Sequence, residues 1–346
     1  MKPQSASLAL KVRASATGAR RISSDFPLTQ DSRGTAVHDL QRRLVAASVL
    51  ADDAYVDGVY CARTAAVIAE FQKLRGLPIT GACDHITWTT LVESSWVLGA
   101  RLLYLTSPHM RGDDVQAMQT VLAKLGFDCG RADGIFGPNT LRALTEFQQN
   151  YGIVADGICG VNSIRALERT SSQSGDGPGI VTVREYETLL TTSDNTERPR
   201  IVVGCFDNST RITRLLVREL RNRGDDVMTI ENADPHAHAR TANSFKADLY
   251  IGVSNTEANA TQFAYYETDA FVSAGGRMAA ELCAEFVRSN QGDHDVVACG
   301  MQLPVLRETR MPAVMCTVGL GGTENSAPGM ILALAKAITQ WSNQPI

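Results

Sequence analysis

The chain has 346 residues, of which 44% are hydrophobic and 20% charged, with a formal net charge of -4. The length implies two or three domains, the composition is that of an ordinary globular protein, and the mild acidity gives no reason to expect a nucleic-acid partner. No apolar run approaches the ~18 residues that a membrane-crossing helix needs.

Residues 1–30 read as a basic, flexible tail. Lys2, Lys11, Arg13, Arg20 and Arg21 fall within residues 1–24, which hold no acid. The apolar run Leu8-Ala9-Leu10 is cut by Lys11, which is too short for a secretory signal. An Arg- and Ser-rich, acid-poor segment also fits an organellar transit peptide.

From Arg33 one motif is written twice. Arg33-Gly34 matches Arg111-Gly112, Asp57-Gly58 matches Asp133-Gly134, and Thr64 matches Thr140. Phe71-Gln72 matches Phe147-Gln148, followed by Gly76 with Gly152, Gly81 with Gly157, and Leu91 with Leu167. The offset is 78 residues at the start and 76 after one small gap. An internal repeat of this kind marks a duplicated domain.

Each copy shows three helical patterns. In the first, Val37, Leu40 and Leu44 share one face, Val67, Ile68, Phe71 and Leu74 another, and Ile86 and Leu91 lie in the third. The second copy gives Val115, Met118, Leu122 and Leu125, then Leu141, Leu144 and Phe147, then Ile164 and Leu167. These spacings are those of amphipathic helices. The D-G pairs supply turns between the first two helices, and Pro138-Asn139-Thr140 reads as a helix start. The pattern predicts all-α three-helix repeats over 31–93 and 111–170, joined by a linking helix over 94–110.

Residues 171–199 read as a linker. Ser171–Gly179 is rich in Ser and Gly with one Pro, residues that break regular structure, and a polar run from Thr191 to Arg198 follows Val181–Leu190. From Arg200 strands and helices alternate. Ile201–Val203, Val227–Ile230, Leu249–Val253, Phe263–Tyr266 and Ala313–Val318 read as strands. Ser209 is placed to cap a helix with apolar face Ile212, Leu215, Leu216 and Leu220, ended by Gly224. Ala274–Ser289 and Pro328–Trp341 read as helices. The pattern is that of an α/β domain over 200–346.

Eight cysteines are scattered without a C-x-x-C pair, so a structural zinc site has no support. They read as reduced thiols of a cytoplasmic protein, with a disulfide framework as the alternative. Cys83 and Cys159 occupy equivalent repeat positions and predict a shared packing slot.

The repeat resembles the peptidoglycan-binding domain found in tandem on bacterial cell-wall enzymes. The R-G start, the D-G-x-[YF]-[CG] turn (Asp57–Cys61, Asp133–Gly137), the F-Q pair and the late glycine in Thr80–Ala82 and Asp156–Ile158 carry that resemblance. The C-terminal domain resembles the zinc-dependent N-acetylmuramoyl-L-alanine amidases. Here the carriers are Arg240–Asn243, Ala247–Ile251 and Met311–Gly319. Together these resemblances imply a multidomain protein: two all-α repeats followed by an amidase-like α/β domain with a twisted mixed sheet.

That family holds zinc with His, Glu and His and uses a further Glu for proton transfer, so that the metal polarises the amide and activates water. The matching positions here depart from it. Asp207 falls near the first His, Ser254 replaces the second, and Thr317 stands where the catalytic Glu belongs. The segment for the Glu ligand is missing. The resemblance therefore implies a degenerate site without catalysis or metal. Asp234, His236 and His238 form a D-x-H-x-H cluster, which can chelate a metal if extended and is otherwise a polar loop entering a helix. His294 reads as part of a surface turn.

Arg211, Arg214, Arg218 and Arg221 recur at helical spacing opposite the apolar face. They read either as a solvated helix face or as a seat for an acidic partner or phosphate. The whole arrangement is similar to the CwlM group of actinobacteria, on Leu98–Arg101, Tyr151–Gly160 and Leu306–Pro312. The similarity implies a cytoplasmic, non-catalytic regulator of peptidoglycan precursor synthesis. Its implied partners are the UDP-N-acetylglucosamine enolpyruvyl transferase MurA, a Ser/Thr protein kinase and peptidoglycan precursors. An active zinc amidase and a peptidoglycan- or lipid II-binding module are the alternatives. Relatives place phosphorylated threonines in a tail beyond the last helix, whereas this sequence stops at Ile346. Substitute positions are Ser171 to Ser174 and Thr191-Thr192-Ser193, where phosphate adds about -1.5 to -2 charge.

Overall fold

Each half of the duplicated motif folds as three helices around its own small core. The computed structural model describes residues 26–47, 49–50, 56–171, 180–193, 198–206, 209–256, 260–268, 271–291, 295–319 and 327–343. Most of the basic tail, His294 and Asp207 lie outside them. Repeat 1 contains α1 (Thr35–Ala46), α2 (Ala62–Leu74) and α3 (His85–Ser94); repeat 2 contains α4 (Asp113–Lys124), α5 (Pro138–Tyr151) and α6 (Val161–Ser171). Val37, Leu40 and Leu44 meet Ile68, Phe71 and Leu91 in the first core. Val115, Met118 and Leu122 meet Leu144, Phe147 and Leu167 in the second. Leu74 departs from the expected inward face and is 64% exposed, because it closes α2 at the rim of a cleft described below.

The repeated polar residues brace turns. Gln41 receives the Gly58 amide at 2.8 Å and donates to Asp57 at 3.0 Å; Gln119 does the same for Gly134 and Asp133 at 2.7 and 3.0 Å. Gly58 and Gly134 have φ of 72° and 70°, a region that favours glycine. The glutamine of each F-Q pair braces a second turn in the same way. Gln72 receives the Gly81 amide and Gln148 the Gly157 amide, each at 2.9 Å. All four glutamines are buried. Cys83 and Cys159 share one slot, each buried and bridged antiparallel to a leucine, Leu28 or Leu103.

The expected linking helix over 94–110 is not formed. After α3 the chain turns, Gly99 adopts a φ of 100°, and Leu103 extends to pair with Cys159. Arg101 holds the turn by bonding Asp114 at 2.7 and 3.0 Å and the Arg111 carbonyl at 2.7 Å. That pairing competes successfully with helical propensity. The expected linker over 171–199 is also corrected, because it contains α7 (Ile180–Ser193). Leu189 of α7 is buried in the core of the next domain, and Glu185 accepts from Ser273 Oγ at 2.7 Å.

The α/β domain follows the order β1 (Arg200–Cys205), α8 (Thr210–Arg223), β2 (Asp226–Glu231), α9 (Pro235–Phe245), β3 (Leu249–Thr256), β4 (Thr261–Thr268), β5 (Phe271–Val272), α10 (Ala274–Gln291), β6 (Val296–Met301), α11 (Pro304–Glu308), β7 (Ala313–Gly319) and α12 (Ala327–Asn343). The described strands form one mixed sheet, ordered β2-β1-β3-β7-β4-β5 with β6 on β4. β1, β2, β3 and β7 are parallel, and β4 runs against β7. Alternating residues explain its two buried faces. Ile201, Val203, Leu249, Ile251, Val253, Val314 and Cys316 pack with α8, α10 and α12. Val202, Tyr250, Ala264, Tyr266, Ala313 and Met315 pack with α9 and α11. Gly224 ends α8 with φ of 97°, as expected. Ser209 precedes α8 without its side chain capping it; the hydroxyl donates instead to the Val253 carbonyl at 3.0 Å.

Candidate functional site

The parallel strands β1, β3 and β7 bring their carboxyl ends to one edge, where open α/β sheets hold their ligands. Ser254 and Thr317 are directly paired there, with hydroxyls 3.3 Å apart. Cys205 Sγ lies 3.3 Å from Ser209 Oγ. Gln262 of β4 pairs with Thr317 and donates to Cys299 Sγ. Two neutral hydroxyls do not fit zinc, which takes thiolate, imidazole and carboxylate ligands. Among the described residues no group of three or more His, Cys, Asp or Glu is close enough to hold a metal ion.

His236 and His238 are not a chelating pair. They sit on α9, whose N-cap Asp234 accepts from the His236 amide at 2.9 Å. Residues two apart on a helix project about 200° from each other. His236 Nδ1 lies 2.9 Å from Glu308 Oε1, a contact that raises its pKa. His238 is buried, stacked on Phe206 at 4.1 Å, and burial lowers its pKa. The Asn232 carbonyl, 2.8 Å from Nε2, can only accept, so Nε2 carries the proton. Nδ1 of that neutral ring then accepts from the Tyr250 hydroxyl at 2.8 Å. Gly204 makes room for this contact, because a Cβ there would collide with His238 and the Tyr250 hydroxyl.

Arg211, Arg214, Arg218 and Arg221 all lie exposed on α8, opposite buried Leu216, Val217 and Leu220. Arg221 also donates to the Val227 carbonyl at 2.8 Å.

The densest polar cluster joins repeat 2 to α11. Arg131 reaches over to the Thr309 and Met311 carbonyls at 2.7 and 3.2 Å, beside Tyr266 and Phe271. In return, Arg307 donates to Glu93 at 2.6 Å and to the Asp133 carbonyl. Glu308 lies 2.7 Å from Arg111 and also holds His236. Burial alone would raise the Glu308 pKa, but the His236 bond and the Arg111 charge hold it below its ordinary value. Sequence reading singled out Leu306–Pro312 only as a similarity. It missed the role of Arg307 and Glu308, because their partners are far away in the chain.

Between the repeats and the α/β domain lies a cleft of about 430 Å³. Phe71, Leu74 and Ala117 give it apolar walls, and Thr268 and Gln302 close it from the α/β domain. Arg75 pairs with Asp113 across it at 2.7 Å.

Two small helical repeats ahead of a mixed α/β sheet define a modular protein. Residues 33–91 and 111–167 each match the family described as "Putative peptidoglycan binding domain". The chain is 30% identical over 284 residues to N-acetylmuramoyl-L-alanine amidase CwlM of Mycobacterium tuberculosis, covering 73% of this chain and 70% of that protein. It is also 30% identical over 148 residues to N-acetylmuramoyl-L-alanine amidase CwlL of Bacillus licheniformis, covering 37% of this chain and 41% of the relative. N-acetylmuramoyl-L-alanine amidase AmiC2 of Nostoc punctiforme aligns at 14% identity with a TM-score of 0.36, covering 42% of this chain and 98% of that structure. The chain belongs to the N-acetylmuramoyl-L-alanine amidase family.

Proposed function

We propose that this protein is a non-catalytic regulator of peptidoglycan precursor synthesis that acts in the cytoplasm by binding a MurA-like enolpyruvyl transferase. The observation that carries the non-catalytic reading is the Ser254–Thr317 hydroxyl pair at the strand ends. Neither residue supplies a zinc ligand or a carboxylate for proton transfer. The exposed arginines of α8 give such a regulator an accessible basic face for an acidic partner. Phosphorylation by a Ser/Thr kinase is part of the same reading. Ser172 and Ser174 lie outside the described residues, and Thr191, Thr192 and Ser193 close α7.

Two assays test it. The rate of the cognate enolpyruvyl transferase, measured with and without the purified protein, should rise on addition; an unchanged rate overturns the partnership. Zinc-loaded protein should leave muropeptides intact, and chelator-sensitive amide cleavage overturns the non-catalytic reading. A second reading rests on the cleft between the repeats and the α/β domain: its size and mixed lining suit a peptidoglycan precursor. Titration with a soluble precursor, read on the cleft residues, separates it from the first.

A further inference from the structure

We infer that repeat 1 is a docking surface for a partner protein presenting an adjacent Arg–Glu pair, the chemistry by which repeat 2 already grips the α/β domain. The two repeats build the same surface. Arg33 bridges to Val59 as Arg111 bridges to Ile135. The Gly34 amide donates to the Gly58 carbonyl at 2.9 Å, and the Gly112 amide to the Gly134 carbonyl at 3.1 Å. Gln41 and Gln119 fix the two D-G turns with matching bonds.

In repeat 2 this surface is occupied. Arg307 donates to the Asp133 carbonyl, and its guanidinium lies against the turn, 2.8 Å from where a Gly134 Cβ would sit. Glu308 is held by Arg111 at 2.7 Å. The glycine-arginine frame therefore reads two adjacent side chains of opposite charge at the end of a short helix begun by Pro304.

In repeat 1 the equivalent groups face outward. Arg33, His38 and Asp57 are exposed, and the three atoms nearest a Gly58 Cβ all belong to Gly34 and His38. Arg33 offers the guanidinium that takes a carboxylate, and the Asp57 carbonyl offers the seat that takes an arginine. Charge complementarity and the occupied twin define the occupant as a protein segment with neighbouring Arg and Glu. Glu93, which reinforces Arg307 where it docks on repeat 2, is supplied by α3 of repeat 1, and among the described residues no equivalent carboxylate stands beside the D-G turn of repeat 1. A partner in trans is thus held more weakly than α11 in cis, which also gains from its tether. The inference stands whether or not the protein regulates an enolpyruvyl transferase.

The test uses the isotope-labelled full chain and a synthetic peptide copying residues 303–311. Amide resonances of Arg33, Gly34 and Gly58 should shift in a saturable way, with a Kd of roughly 1 mM or tighter. A peptide with Arg307→Glu and Glu308→Arg should leave them unmoved. Arg33→Glu should weaken binding of the native peptide about tenfold, equal to about 1.4 kcal/mol, and a Glu308→Lys peptide should recover it. No shift at these amides with about 2 mM peptide, above the limit just set, overturns the inference. Equal shifts from the charge-swapped peptide overturn it too, as do shifts confined to repeat 2.

Discussion

Arg307 Nη1 lies 2.6 Å from the Glu93 carboxylate, although 214 positions separate the two residues. Their side chains are 18% and 9% exposed; Arg111 is a second, longer partner of Glu93 at 4.0 Å, and the Asp133 carbonyl a second acceptor for Arg307. Removing one partner of a buried pair costs on the order of 3 kcal/mol, whereas replacing both with apolar residues is close to neutral. Glu93→Leu and Arg307→Met should each destabilise the docked form by about that amount. The Glu93→Leu, Arg307→Met double variant should be more stable than the sum of the corresponding single losses. Urea denaturation of the four-member cycle checks this, and strict additivity would show the two residues to be uncoupled.

The two histidines of α9 should titrate in opposite directions. The Glu308 hydrogen bond raises His236 above its ordinary 6.5, so its stabilising contribution is full below pH 6.5 and fades as pH rises through the higher folded value. Burial depresses His238, so its contribution is full above pH 6.5 and is lost as pH falls through the lower folded value. Glu308 is depressed below 4.5, and its contribution is lost as pH falls through that lower folded value. Ring-proton NMR should place the His236 midpoint above 6.5 and the His238 midpoint below it. Glu308→Gln should bring His236 down and leave His238 where it is.

Much of the fold was legible in the sequence because its determinants are local. Helical spacing placed the six repeat helices, and short apolar runs alternating with helical patterns placed β1, β3 and β7. The failures occurred where a distant contact decides local form. Residues 100–105 carry helix-compatible side chains, yet Gly99 turns the chain, Leu103 pairs with Cys159 and no helix forms. α7 looked like linker because its anchors, Leu189 in the α/β core and Glu185 on Ser273, are far off in sequence. At the strand ends, the sequence identified Ser254 and Thr317, and the structure sets them side by side. Nothing in the spacing of Asp234, His236 and His238 showed that α9 would point the two rings apart.

Gly204 should resist even a methyl group. A Cβ at this position would collide with the His238 ring and the Tyr250 hydroxyl, both held in place by buried bonds. Overpacking of this kind costs about 1–3 kcal/mol. Gly204→Ala should lower Tm accordingly. Adding Tyr250→Phe should recover part of the loss by removing the obstructing oxygen, even though His238 Nδ1 then lacks its donor. A double variant no more stable than Gly204→Ala alone would show that the conflict lies elsewhere.

The turn-bracing glutamines give a test that separates the repeats. Gln119→Ala strips the buried Gly134 amide of its acceptor and leaves Asp133 Oδ1 with the Ile135 amide but without the Gln119 donor. Leaving a buried donor unpaired costs about 1–3 kcal/mol. The same turn seats Arg307 through the Asp133 carbonyl, so the damage should travel to α11. Gln41→Ala makes the equivalent change at Gly58 and Asp57, where among the described residues none of the α/β domain is bonded to the turn. Both variants should lose similar stability within their own repeat. Only Gln119→Ala should speed amide hydrogen exchange across 304–311, because only there does the brace support the docked helix. Equal exchange in that segment for the two variants would mean that the turn geometry does not hold Arg307 in place.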